Sequence, residues 1–314
     1  MWSDSLRDEK PLKIGLLVFA LAVLGVCQDI SAEEKPTGWI PAISLETGLR
    51  QVDLSGSSLP GEIMGPPLPD QPLFFDPSII WTAVSGSGSV RSAYVGAWAE
   101  IMSPALGWKR FRLFARAGVS PTFGQVAKLA SKGVPGKIES PVVPLPNFKF
   151  SENDILGQGN VATAEPVSPL VTAAVGASFE FKVGTRTLRV KPAFEYLREE
   201  IRFDGTTIRA VGQTPMFIFA DEFPGNIRVI DLQASKTQAF HSIGPSIEIA
   251  MDTARVGPLM LALYVGGSAN RFLGDRGIEL SSTNEYDETV SWTFEHDPWG
   301  FRLGTGLRFR WMPD

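Results

Sequence analysis

The 314-residue chain contains one cysteine, Cys27, and two histidines, His241 and His296. A single thiol excludes a disulfide scaffold and any cysteine-built metal centre. Basic character is missing as well: 29 Lys and Arg stand against 34 Asp and Glu, a net charge of −5. A nucleic-acid partner, which calls for a basic stripe, gains no support from that balance. Apart from one segment at the N-terminus, no apolar run approaches the ~20 residues of a spanning helix, so a multi-helix membrane protein is excluded.

The N-terminal segment reads as a secretory signal. Arg7, Lys10 and Lys13 precede the apolar stretch 14–26, and Gln28 and Asp29 follow it. Thirteen apolar residues are short for an anchor but fit the ~7–15 of a signal core. The Ile30-Ser31-Ala32 run offers a small residue at the cut, so cleavage is expected after Ala32, with 33–41 left as a short periplasmic segment. The alternatives are an uncleaved anchor or a buried helix. Lipidation of Cys27 is disfavoured because Val26 stands where lipoprotein signals carry a small residue. Cleavage would remove Cys27 and leave a mature chain without thiols, which suits an oxidising periplasm.

The body of the chain alternates at period two. In 299–311, Trp299, Phe301, Leu303, Thr305, Leu307, Phe309 and Trp311 interleave with Gly300, Arg302, Gly304, Gly306, Arg308 and Arg310. Side chains alternate faces along a strand, so one face is apolar and the other is glycine and arginine. Aromatics at both ends of the apolar face match the girdles of a membrane barrel. The same alternation recurs in seven further segments. They include Ile43, Leu45, Thr47 and Leu49 near the start, and Val171 to Val183 and Ile243 to Met251 further on.

The connections between these eight segments alternate long and short. Tight links fall at 102–106, 183–186 and 253–257, and long ones at 55–89, 121–170, 204–237 and 273–297. Three short turns on one side and four long loops on the other are the plan of an outer-membrane barrel. Structureless loops of this length are uncommon in a compact soluble domain, which counts against a sandwich. The fold class expected is therefore all-β, an antiparallel up-and-down transmembrane barrel of eight strands over 42–311. Extra strands drawn from 201–233 and 278–296 would raise the count to ten or twelve.

With this pattern the chain resembles the eight-stranded outer-membrane β-barrel superfamily of Gram-negative bacteria, the OmpA-like and OmpX-like barrels. Leu307, Phe309 and Trp311 resemble the C-terminal signal read by the barrel assembly machinery, although Met312-Pro313-Asp314 follow where family members usually end on the aromatic. The resemblance implies an outer-membrane location, lipopolysaccharide and outer-membrane lipid as surroundings, and the assembly machinery as a partner during biogenesis.

Alternation places a set of charges inside the barrel: Glu46, Glu100, Glu180, Glu195 and Glu248, with Arg50, Arg110, Arg112, Arg116, Lys182, Arg189, Lys191, Arg302, Arg308 and Arg310. Unpaired buried charges are costly, so a salt-bridged plug is one reading. The basic excess supports a second, a narrow anion-preferring pore. A third is lipid-modifying catalysis, since the resemblance extends to lipid A deacylases and palmitoyltransferases. His241 and Ser242, being adjacent, face opposite sides of a strand and cannot share a proton directly, and His296 has no recognisable serine partner, so no catalytic residue is assigned. No cofactor or metal is assigned either. The acidic residues Asp275, Glu279, Glu285, Asp287, Glu288, Glu295 and Asp297 lack calcium-loop spacing and read as a solvated loop, which leaves room for divalent ions bridging to lipopolysaccharide. Phe74, Phe75, Ile79, Ile80 and Trp81, and 216–219, read as apolar clusters within the Pro- and Gly-rich or mobile loops, where surface recognition of an unidentified extracellular ligand would reside.

Overall fold

The computed structural model describes residues 38–60, 84–106, 111–132, 159–212, 227–284 and 289–312. The signal segment 1–32, Arg110, the clusters at 74–81 and 216–219, and Glu285, Asp287 and Glu288 lie outside the described residues. The strands are β1 (Ile40–Pro60), β2 (Val84–Met102), β3 (Phe111–Ser120), β4 (Thr122–Gly124), β5 (Ala127–Lys132), β6 (Gly159–Val183), β7 (Arg186–Gly212), β8 (Ile227–Val256), β9 (Leu259–Leu273), β10 (Gly277–Thr283) and β11 (Thr289–Trp311). All pairings are antiparallel, and β1 bonds to both β2 and β11, so the sheet closes on itself.

The eleven strands occupy eight lanes of the ring. β3 and β4 share one register on β2, as Ala97↔Val119 and Tyr94↔Thr122 show, and β5 continues that lane along β6. Between β3 and β4 stands Pro121, which has no N–H to give the ladder, though its carbonyl still accepts from Val95 N–H at 3.2 Å. In the same way β10 follows β9 as the neighbour of β11, after a bend at Gly274 with φ 78°. The tight turns at Gly184 and Gly257 hold φ of 63° and 58°, a left-handed conformation that glycine adopts without strain.

One circuit fixes the tilt. Ile43 pairs with Ala99, and the register runs through Ala117, Ala173, Tyr196, Ile243 and Arg271 to Trp299, one residue from the Gly300↔Val52 pair. The path returns to β1 about ten residues above its start, which with eight lanes sets a strand tilt of about 40°. At that tilt Trp299 and Trp311 stand about 30 Å apart along the barrel axis.

Between those two levels the outer face is apolar. Ile43, Leu45, Val95, Leu113, Val175, Phe194, Ile247, Leu303 and Leu307 are all exposed there, with Trp39, Phe181 and Trp311 at the short-turn end and Trp299, Phe301 and Phe123 at the other. Above Trp299 the two faces exchange chemistry, and the inward parity resumes on β11 past a bulge at 297–299 opposite Asp53. Ser55, Ser57, Thr293 and Glu295 face outward, while Val52, Leu54, Val290, Trp292 and Phe294 are buried inward. With Leu129, Ile201, Phe203, Leu232, Phe240, Phe272, Ile278 and Leu280 they form one apolar cluster that fills this upper storey. Trp292 lies flat over Gly205, where a Cβ would come within 2.3 Å of its ring.

This exchange corrects two expectations. The segments 55–89, 121–170, 204–237 and 273–297 are not wholly loops, because strands run several residues into each of them. The described parts of 201–233 and 278–296 lengthen the barrel and do not widen it: β7 and β8 keep one register from Leu188↔Met251 to Gly212↔Ile227, and 278–283 and 289–296 supply most of β10 and the start of β11. Inward apolar contacts hold the strands together beyond the belt. Trp292→Ala, which empties the centre of that packing, is expected to cost about 3–5 kcal/mol in urea unfolding of the refolded barrel.

Candidate functional site in the barrel interior

Below the apolar storey the interior is ionic and arranged in levels. At the short-turn end Asp252 accepts from both Arg189 and Arg310, and Glu180 accepts from Arg189 at 2.9 Å with Arg112 at 3.8 Å. One level up, Lys191 donates to both oxygens of Glu100 at 2.6 Å. Glu248 accepts from Arg116 at 2.6 Å and from Arg308 Nη2 at 2.8 Å. Next, Arg302 bridges Glu46 at 2.7 Å and Glu195 at 2.5 Å. Glu46 is also held by Tyr94 at 2.6 Å and Tyr264 at 3.0 Å. The topmost pair is Arg50 with Glu199 at 2.6 Å.

Aromatic rings and glycines complete the packing. The Arg116 and Arg302 guanidinium carbons lie 4.8 and 5.0 Å from the Trp98 ring, Arg308 lies 4.6 Å from Tyr264, and the Lys191 amine is 4.1 Å from Phe114. Inward glycines make room for these long side chains. A Cβ on Gly304 would fall 2.4 Å from Tyr94 Oη and 2.5 Å from Glu46 Oε1.

Thirteen of the fifteen interior charges expected from alternation lie in this network. Arg110 is outside the described residues. Lys182 is exposed, because it sits next to the Val183–Arg186 turn and bonds Thr187 Oγ1 at 3.0 Å at the rim. Two acids join that were not anticipated, Glu199 and Asp252, both buried. The described interior therefore holds Arg50, Arg112, Arg116, Arg189, Lys191, Arg302, Arg308 and Arg310 against Glu46, Glu100, Glu180, Glu195, Glu199, Glu248 and Asp252, close to neutral. Among the described residues the basic excess inferred from the sequence shrinks to one charge. Leu307, Phe309 and Trp311 point outward on the last strand.

The two histidines occupy different surroundings. His241 is on the outer face with Nδ1 hydrogen-bonded to Tyr196 Oη at 2.6 Å, whereas Ser242 is buried and donates to the Leu197 carbonyl. His296 is not a loop residue. It lies inward on β11, beyond Trp299 and above the belt, with its ring centroid 4.0 Å from Phe240 and 4.6 Å from Phe272. Burial, reinforced by Arg50 and Arg276, pushes its pKa down from 6.5 to about 3. It is thus a neutral ring at the seam between the ionic and apolar storeys. Among the described residues no group of three or more His, Cys, Asp or Glu side chains could hold a metal ion.

No protein-family model and no curated protein matches the chain. Solved structures do. The outer membrane protein OprG from Pseudomonas aeruginosa aligns over 89% of this chain and 98% of its own, at 7% identity and a TM-score of 0.29. The outer membrane protease OmpT from Escherichia coli aligns over 90% and 100%, at 8% identity and 0.27. A Pseudomonas aeruginosa FadL homologue aligns over 88% and 92%, at 8% and 0.19. The closed antiparallel ring, the apolar belt between aromatic girdles and the ionic interior define the class directly: an up-and-down transmembrane β-barrel of eight lanes.

Two outcomes follow from this interior. Glu248→Gln removes the carboxylate shared by three cations and is expected to cost about 3–5 kcal/mol, while Glu165→Gln, which breaks the exposed pair with Arg202, is expected to cost under ~1 kcal/mol, both read by urea unfolding. For His296 the unfolded chain takes up a proton first, so its contribution to stability is complete above pH 6.5 and is lost as pH falls toward 3. Hydrogen exchange of 289–296 should accelerate over that interval relative to the belt strands, and His296→Phe should flatten the dependence.

Proposed function

We propose that the protein is an integral outer-membrane barrel, closed to solute flow, whose role is structural or in surface recognition through the loops that join its long strands. The observation that carries this reading is the filled interior. Ion pairs occupy the belt from Asp252 to Glu199, and the cluster around Trp292 and Phe203 covers them. A lumen of eight strands is only wide enough for side chains or one small ligand. In this barrel side chains take that space. Near-neutral interior charge also removes the main support for an anion-preferring pore.

The same reading places residues 1–32 as a cleaved signal and 33–41 in the periplasm, with a Gram-negative outer membrane as the destination. Leu307, Phe309 and Trp311 would be read by the barrel assembly machinery, and lipopolysaccharide would surround the belt. The role is read as non-catalytic: His241 faces outward onto the Tyr196 hydroxyl and His296 is packed among phenylalanines, so among the described residues neither is hydrogen-bonded to a serine, threonine or cysteine.

Planar-bilayer recording from the purified, refolded protein is expected to show conductance near zero, whereas steady anion-selective steps would establish the pore instead. The barrel itself is tested by migration in detergent gels, which should change on boiling. Identical migration of boiled and unboiled protein would count against it.

A further inference from the structure

A concave groove of about 590 Å³ lies on the outer wall within the belt, crossing β2, β3, β6 and β7 to reach β8. Ala99, Ala117 and Ala173 form its floor, Tyr196 and Ile243 stand at its loop-side end, and Phe194 lines it one outward position nearer the tight turns. Most of the belt carries Leu, Val, Ile or Phe at outward positions, so this stretch is a depression in an otherwise filled apolar surface.

The loop-side end of the groove meets a basic rim. Ile243 pairs in register with Tyr196 on one side and Arg271 on the other. One outward step toward the loops, His241 pairs with Arg198 and is hydrogen-bonded to Tyr196. Arg198 is ion-paired with Glu200, but Arg271 is exposed and makes no ion pair among the described residues. Arg271 also neighbours Trp299, the girdle residue that marks the edge of the belt. Apolar groove and cationic rim are therefore continuous, with the rim at headgroup depth.

We propose that this groove binds one phosphorylated, acylated glycolipid of the outer leaflet, with an acyl chain against the alanine floor and a phosphate at Arg271 and His241. The inference rests on the barrel spanning an outer membrane with its loops outside. Charge selects lipid over a second copy of the chain. Two barrels meeting through this face in a membrane would be related by an axis along the membrane normal, which brings the two basic rims together at one depth. An anionic lipid reverses that repulsion into attraction. Committing to the outer leaflet follows from the position of the rim, on the side of the long connections and not of the tight turns.

Native mass spectrometry of the full-length refolded protein, offered lipid A, dephosphorylated lipid A or phosphatidylglycerol, tests the proposal. The wild type is expected to retain one lipid A, at least fivefold more readily than either comparison lipid. Arg271→Glu with His241→Ala should bring lipid A down to the dephosphorylated level. Ala117→Leu with Ala173→Leu, which fills the floor, should lower retention of both forms. Equal retention of the three lipids by the wild type overturns the proposal without recourse to any variant. So does retention by the filled-groove variant, or a dimer that this variant dissociates. Preference for phosphatidylglycerol would overturn the outer-leaflet assignment. A wild type that shows the boiling-dependent gel shift but no lipid preference removes only the lipid site, whereas absence of the shift removes the barrel reading together with it.

Discussion

A strand that leaves a bilayer partway along its length must satisfy two solvents with one hydrogen-bonded ladder. Inside the hydrocarbon every backbone group has to find its partner within the ring, because lipid offers none. That demand explains closure, and it holds over the whole length of β1, whose neighbours β2 and β11 accompany it on both sides. What changes along the strand is the medium outside. Below Trp299 the outer face meets lipid and the interior is ionic. Above it the outer face meets water and the interior becomes an apolar core. The exchange falls at neighbouring positions on several strands, near Gln51, Arg91, Arg198 and Arg271, so the ring records the membrane surface in its residues.

The ionic storey has a second consequence, for register. A slip of one residue in any ladder would turn its charges out to the hydrocarbon and its leucines inward. Each Arg or Lys so exposed near mid-membrane costs about 2–4 kcal/mol. β11 alone would present Arg302, Arg308 and Arg310. Charge inside the barrel thereby fixes pairing more strongly than an apolar filling could, since an apolar interior would differ little from the lipid outside. The desolvation cost of those charges is offset by partners across the lumen and on neighbouring strands: Glu248 on β8 meets Arg116 on β3, Glu195 on β7 meets Arg302 on β11, and Glu46 on β1 meets Arg302 of the adjacent β11 together with the hydroxyls of Tyr94 and Tyr264. Such contacts across the lumen need long side chains lying over residues without any, which is why Gly304 sits beneath Tyr94 and Gly118 beneath Trp98.

Most of this storey was legible in the sequence, because alternation with apolar residues on one face is the only signal a membrane strand emits. The part that was not legible is the part where the polarity reverses. Ile201 and Phe203 continue the inward face of Glu195 and Glu199, yet a reader following greasy residues as the outer face loses the strand at Arg198. For the same reason Trp292, Phe294 and His296 read as loop although they form the inner face of β11. Following the period alone, and letting the chemistry of each face change, would have carried β7, β8 and β11 to nearly their full lengths. Glu199 and Asp252 could have been recovered by the same parity. Lys182 is the opposite case: it has inward parity but stands at the rim, where a turn ends the enclosure.

The two storeys meet at a seam that decides where function can reside. Arg50 closes the ionic network by pairing with Glu199 and also lies 5.8 Å from the Phe272 ring, the lower edge of the apolar cluster. His296, neutral and packed on Phe240 and Phe272, stands above Arg50, on β11 in register with Leu54. A neutral imidazole is less costly to bury at this boundary than a cation, although neither of its ring nitrogens finds a hydrogen-bond partner among the described residues. Among the described residues the interior is committed to pairing below the seam and to apolar contact above it, which is what the proposed closed reading rests on. What remains free is the outside: the polar collar of the upper strands and the basic rim where Arg271 and His241 overlook the lipid-facing wall.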